Sequence, residues 1–283
     1  MRRDYEIGPE IGRGRFGVVR RCFSAVDGEP FAVKSVDKSA LTDAIDLDCV
    51  QREAKLTQIA AAGNPSVAGI HAVYEDEDAI HIVLDLCTGP DLFDRISASA
   101  PLPEPEAAAI LTPLMEAIAI CHRRGIAHRD IKPDNVLFDD QYRLKLMDFG
   151  SAEVFGDGRG MRGIVGTPYY VAPEVVAGDE YNEKVDVWSA GVTLYVMLAG
   201  IVPFYGETAV EIFEKVLRGN LRFPVGLFRD VSPAAKDLLR RMLTRDADRR
   251  LSAEQVLSKF LNSQKLNLRT FFFLIFIVFC CYF

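Results

Sequence analysis

The chain has 283 residues, 49% of them hydrophobic and 26% charged, with a formal net charge of −7. That length and apolar fraction supply a large core, and the composition excludes collagen-like, disordered and disulfide-scaffold proteins. The acidic balance argues against nonspecific nucleic-acid binding and suits a substrate with basic side chains.

From Tyr5 to Leu86 short apolar runs alternate with turn signals such as Asp27-Gly28 and Gly63-Asn64-Pro65, which predicts strands. One helical stretch interrupts them near Leu47 to Ala61. After Leu86 the pattern turns helical, with apolar-periodic runs over Glu106 to His122 and Val185 to Ala199. Strands first and helices later predict an α+β chain in two lobes joined by a short hinge near Asp85-Leu86-Cys87.

The run from Ile11 through Gly12, Gly14 and Gly17 to Val19 places glycines between two strand-like segments. Without Cβ atoms such a hairpin brings its backbone amides close to phosphate oxygens, although a plain turn has the same look. A Rossmann reading fails because a strand, not a helix, follows. On the next strand, Phe31-Ala32-Val33-Lys34 sets a lysine in an apolar run, where it needs an anionic partner. Glu53, in the only helical stretch of this half, is the candidate.

His128-Arg129-Asp130-Ile131-Lys132-Pro133-Asp134-Asn135, then Asp148-Phe149-Gly150, then Ala172-Pro173-Glu174 complete an ordered series over residues 4 to about 258 that resembles the protein kinases. The resemblance implies a bilobal protein-kinase fold, with a small β-rich lobe over 4–85, a larger helical lobe over 86–260, and ATP and Mg²⁺ as cofactors. It implies Asp130 as catalytic base, Lys132 on the γ-phosphate, Lys34 and Glu53 as the phosphate-orienting pair, and Asn135 and Asp148 as metal ligands. Val19, Ala32, Leu84, Leu86 and Leu137 align with the adenine pocket, Asp85 and Cys87 with the hinge, and Asp91 with the ribose contact. Lys132 in the D-x-K-x-x-N pattern points to serine or threonine as acceptor. Glu174 with Arg250, and Asp186, resemble structural anchors.

By the same resemblance Asp91, Asp134 and, more weakly, Glu214 imply a protein substrate with arginine upstream of the acceptor, with a solvated acidic surface as the alternative. No serine or threonine occupies the middle of the segment from Gly150 to Ala172, so activity without phosphorylation there is expected, with Glu153 or Asp157 supplying negative charge to Arg129. Thr167 reads as a contact of the catalytic loop. His71, His81 and His122 carry no functional reading. No EF-hand pattern occurs. The wording around Gly166 to Glu174, Glu183 to Gly191 and Val231 to Leu239 resembles the calcium-dependent and related kinases of plants, and among these the phosphoenolpyruvate carboxylase kinases. That implies phosphoenolpyruvate carboxylase as protein substrate.

The six cysteines show no CxxC spacing, and the chain opens on Arg2, Arg3 and Asp4, so no leader is expected and the cytoplasm is the expected location. A monomer is expected, with no nucleic-acid partner. Residues 261–283 form an atypical hydrophobic tail, and the 13 residues Phe271 to Phe283 are all apolar. They fall short of the ~17–25 residues of a membrane span. An anchor, a surface-packed or disordered segment, and translated intron-like sequence all stay open. The rival functions are a membrane-tethered kinase and a catalytically dead scaffold.

Overall fold

Apolar alternation carries the first part of the chain into β1 (Tyr5–Gly14), β2 (Gly17–Ser24), β3 (Pro30–Asp37), β4 (Ile70–Glu75) and β5 (Ala79–Asp85). The structure, a computed structural model, describes residues 1–14, 17–41, 44–156, 158 and 160–259. The five strands make one antiparallel sheet in the order β1-β2-β3-β5-β4. In the connection from β3 to β4, a 3-10 turn (Lys38–Ala40) is followed by α1 (Ala44–Ala61), which starts ahead of the predicted Leu47. Cross-strand register places Val19 opposite Lys34 and Lys34 opposite Ile82, with Ala32 opposite Leu84. Because faces alternate, Cys22, Phe31, Val33 and Val83 pack together on one side, and Val36, Ile80 and Ile82 pack with Val50 of α1 on the other. A Cβ on Gly17 would sit 2.0 Å from the Ser35 carbonyl oxygen, so strand packing alone requires glycine there.

The remainder is mostly helical. It comprises α2 (Leu92–Ser99), α3 (Glu104–Arg123), α4 (Pro173–Ala177), α5 (Lys184–Ala199), α6 (Ala209–Arg218) and α7 (Pro233–Met242), with a further helical stretch over 253–259. Two-residue strands β6 (Ile126–Ala127) and β9 (Glu153–Val154) pair with each other, as do β7 (Val136–Phe138) and β8 (Leu144–Leu146). Every residue of α5 from Val185 to Ala199 is buried, which makes it the axis of this lobe. Helix α3 begins two residues before the predicted Glu106, because Pro103 and Pro105 lack the N–H groups that a first helical turn leaves unpaired. The architecture is the bilobal α+β kinase fold. Among the described residues no helix is long and apolar enough to cross a membrane. The hydrophobic tail of 261–283 and the Asp157 charge lie outside the described residues.

Candidate active site

The segment from His128 to Asn135 links β6 to β7 and rests on Asp186 in the first turn of α5. Asp186, 1% exposed, accepts the backbone N–H of His128 at 2.9 Å and of Arg129 at 2.8 Å. His122 of α3 donates a third hydrogen bond, Nε2 to Oδ2 at 2.8 Å. Burial by itself would raise the Asp186 pKa, but the hydrogen bonds and charge of His122 and His128 outweigh it, and the carboxyl lies below its ordinary 3.8. The two amide bonds fix Arg129 at φ 66°, a conformation uncommon outside glycine. Nothing in its sequence context distinguishes His122 as this anchor.

On that base, Asp130 closes a triangle. Lys132 Nζ lies 2.9 Å from Asp130 Oδ2. Thr167 donates its hydroxyl to Asp130 Oδ1 at 2.9 Å and accepts from Lys132 Nζ at 2.9 Å. Gly166 precedes it at φ 97°, where a Cβ would approach the Arg129 carbonyl oxygen to 2.8 Å, so only glycine delivers Thr167 here. Asn135 donates Nδ2 to the Asp130 carbonyl at 2.8 Å, so that bond does not engage its amide oxygen, a hard donor. Asp148, at φ 63°, accepts the Gly150 N–H at 3.2 Å. Phe149 behind it is buried against His128 with ring centroids 4.7 Å apart.

Lys34 on β3 and Glu53 on α1 meet at 2.6 Å with both side chains mostly buried. Glu53 also borders Gly150, where a Cβ would lie 3.6 Å from its Oε2. One residue earlier on α1, Arg52 donates to the Ala152 carbonyl at 3.1 Å and stands 3.8 Å from Glu153. Glu153 is held more closely by Arg129, at 2.5 Å. Arg129 further donates to the Ser151 carbonyl at 2.6 Å and to Tyr181 Oη at 3.0 Å, and Tyr181 donates to the Gly163 carbonyl at 3.0 Å. The sequence reading missed Arg52 and Tyr181, because an arginine and a tyrosine without a motif carry no signal of such contacts.

Register puts Gly12, Val19, Ala32, Lys34 and Leu84 on the α1 side of the sheet, and Leu137 is half-buried in β7. Among the described residues Gly12 leaves open space, since an added Cβ would meet only Val19 at 3.9 Å, whereas Ile11 is 49% exposed. Gly14 pairs with Gly17 across the hairpin end. Two hinge-side residues have side-chain partners that their position in the sequence does not reveal. The Asp85 side chain lies opposite Phe31, on the other face of the sheet. There it accepts from Gly69 N at 3.0 Å, His71 Nε2 at 2.7 Å and Lys145 Nζ at 2.9 Å, leaving only backbone toward Ala32. Asp91 uses Oδ1 to cap α2, accepting the Asp94 N–H at 2.7 Å. The Cys87 thiol is pushed up to about 11 by burial, which makes it a packing group rather than a nucleophile. The amide oxygen of Asn135 and the carboxylate of Asp148 fit the donor chemistry of a Mg²⁺ ion, which takes few protein ligands and shares phosphate oxygens. A lysine fixed by Glu53 and the open space at Gly12 among the described residues fit the phosphates.

This constellation defines a phosphoryl-transfer domain, and comparison with known proteins agrees. The sequence model of the protein kinase domain matches residues 5–261, and the chain belongs to that family, whose members use ATP and Mg²⁺. Its relatives are serine/threonine kinases of plants. It is 42% identical over 256 residues to Calcium-dependent protein kinase 8 of Arabidopsis thaliana, covering 89% of this chain and 48% of that protein. With Calcium-dependent protein kinase 32 of the same plant the identity is 43% over 256 residues, 89% of this chain and 47% of the relative. Serine/threonine-protein kinase PEPKR2, also from Arabidopsis thaliana, is 43% identical over 254 residues, 90% of this chain and 52% of its own length. The chain thus spans about half the length of the curated relatives it matches.

Proposed function

We propose that the chain transfers the terminal phosphoryl group of ATP to a serine or threonine hydroxyl of a protein substrate with basic residues upstream. The observation that carries this reading is the Asp130–Lys132–Thr167 triangle, with edges of 2.9 Å. Asp130 orients the acceptor hydroxyl and takes its proton as the new P–O bond forms and ADP leaves. Lys132, beside it, supplies positive charge to the transferring group, and the Lys34–Glu53 pair orients the phosphates on the other side. Asn135 and Asp148 would hold magnesium, which when bound neutralises charge on the phosphates.

Glu153 within 2.5 Å of Arg129 supports activity without phosphorylation of the activation segment, since a permanent carboxylate stands where many kinases recruit a phosphate. Exposed Asp134 and the second oxygen of Asp91 support recognition of upstream arginine. Glu214 contributes less, because it is exposed and paired with Arg218 at 3.1 Å. Phosphoenolpyruvate carboxylase, the substrate implied by the resemblance in sequence, is the first protein to test, and we place the enzyme in the cytoplasm as a monomer.

The test is transfer of radiolabel from ATP to a basic peptide by phosphatase-treated protein from a host without such kinases, with Asp148→Ala beside it. Transfer by the wild type and none by the variant is the expected outcome. Equal signals from both overturn the reading. Loss of activity after phosphatase overturns the role given to Glu153, and indifference to arginine-to-alanine changes in the peptide overturns the basic preference.

A further inference from the structure

Helix α1 carries Glu53, so whatever sets the pose of α1 sets the Lys34–Glu53 pair. The last carbonyls of any helix lack partners within it, and basic groups near that end are favoured. Helix α1 has no basic residue in its last turn. The carbonyls of Gln58 and Ala61 are met by Ala62 N at 3.2 Å and Asn64 N at 2.9 Å. Those of Ile59 and Ala60 accept instead from Arg124, each at 2.8 Å from Nη1, and that of Ala62 accepts from Nη2. Arg124 closes α3 in the other lobe, where its own N–H bonds back to Cys121 and His122. One guanidinium thus replaces the missing last-turn cation and ties the end of α1 to α3.

We propose that Arg124 is a positioning residue for phosphoryl transfer, clamping the C-terminal end of α1 so that Glu53 stays against Lys34. Its catalytic consequence rests on the kinase reading above, whereas the clamp itself does not. Glu53 lies six residues before Ile59, about 9 Å along a rigid helix, so movement at the clamped end reaches it. Among the described residues, Val50, Leu56, Thr57 and Ala60 of α1 are buried, Arg52 and Glu53 make the polar ties given above, and just beyond the helix Asn64 donates Nδ2 to the Ala117 carbonyl of α3 at 3.2 Å, so the clamp acts beside these contacts. Arg123 is a built-in control, because among the described residues its guanidinium pairs with the exposed Glu254, at 3.1 Å, and not with α1.

The experiment compares wild type, Arg124→Met, Arg124→Lys and Arg123→Met in two readouts on the full chain. In hydrogen exchange, amides of residues 47–62 in Arg124→Met should exchange several-fold faster, with Arg123→Met like wild type. In peptide phosphorylation, kcat of Arg124→Met should fall about tenfold with peptide KM unchanged, as expected for a catalytic pair displaced by a fraction of an ångström. Arg124→Lys should recover part of both. In a Glu53→Gln background, Arg124→Met should lower kcat no further, because its effect runs through Glu53. Unaltered exchange in α1 overturns the clamp, and an undiminished loss in the Glu53→Gln background overturns the positioning role. If the wild type transfers no phosphate, the kinase reading fails and the exchange data still decide whether the clamp exists.

Discussion

The catalytic loop and helix α1 both carry residues of the proposed phosphoryl-transfer site, yet the loop rests on a buried pedestal and, among the described residues, α1 is tied to the other lobe by long polar side chains. Below the loop, α5 is buried along its length, and Asp186 fixes the backbone of His128 and Arg129. Further down, Arg250, with its side chain wholly buried, grips Glu174 through two bonds of 2.6 and 2.8 Å and lies 5.1 Å from the Trp188 ring centroid. Among the described residues, helix α1 instead meets Lys34, Ala152 and Arg124 through polar contacts and packs on an apolar seam that includes Val50, Leu56 and Ala60. The difference separates two duties. In the proposed reaction the group that would take the acceptor's proton is preorganised, whereas the pair that would orient the phosphates sits on an element tied to the other lobe through a few long side chains.

The largest expected break in this comparison comes from Glu174→Ala. It strands the Arg250 guanidinium in the core, a change that costs about 3–5 kcal/mol. Urea unfolding should show that loss. Glu53→Gln, which opens a pair beside the solvent-reached cleft, should show a smaller loss of stability with a large loss of kcat. If the two variants lose equal stability, pedestal and helix are not held differently.

Glu153→Gln should have a middling effect. It removes the carboxylate that Arg129 and Arg52 share, loosening the tie between loop and α1 without touching Asp130. We expect kcat to fall about tenfold, or about 1.4 kcal/mol, on phosphatase-treated protein, with Glu153→Asp recovering part of it. Unchanged kcat would mean that the activation segment is ordered by Tyr181 and the Arg162 to Gly163 backbone instead.

Much of this was legible because kinase chemistry needs fixed residue types at fixed spacing. The ordered series from Gly12 to Glu174 pointed to the bilobal fold, and the Lys34 and Glu53 side chains meet in space. Asp85 shows where spacing stops informing. Position in a hinge does not reveal the face a side chain takes, and strand alternation turned this one toward His71 and Lys145. Asp91 was legible as acidic but not as a helix cap. Arg124, His122 and Tyr181 were illegible because each acts across 18 to 65 residues of sequence, on backbone carbonyls or a buried carboxylate that no local pattern announces.

The smallest effect near neutrality belongs to Asp186, and its sign is specific. Its carboxyl is more acidic in the fold than the ordinary 3.8, because hydrogen bonds from His122 and the loop amides outweigh the burial that would raise it. A lowered folded pKa contributes stability that is complete above the unfolded value and is lost as pH falls through the folded one. Hydrogen-exchange protection of the His128 and Arg129 amides, which Asp186 accepts, should therefore show no contribution from this group between about pH 5 and 8 and should decline below about pH 4. Asp186→Asn keeps an acceptor oxygen but loses the charge, so protection should be lower at pH 7 and should lose its acid limb. If wild-type protection at these two amides already declines between pH 8 and 5, Asp186 does not hold the loop as an ionised carboxylate, and the pedestal is no firmer than the clamp on α1.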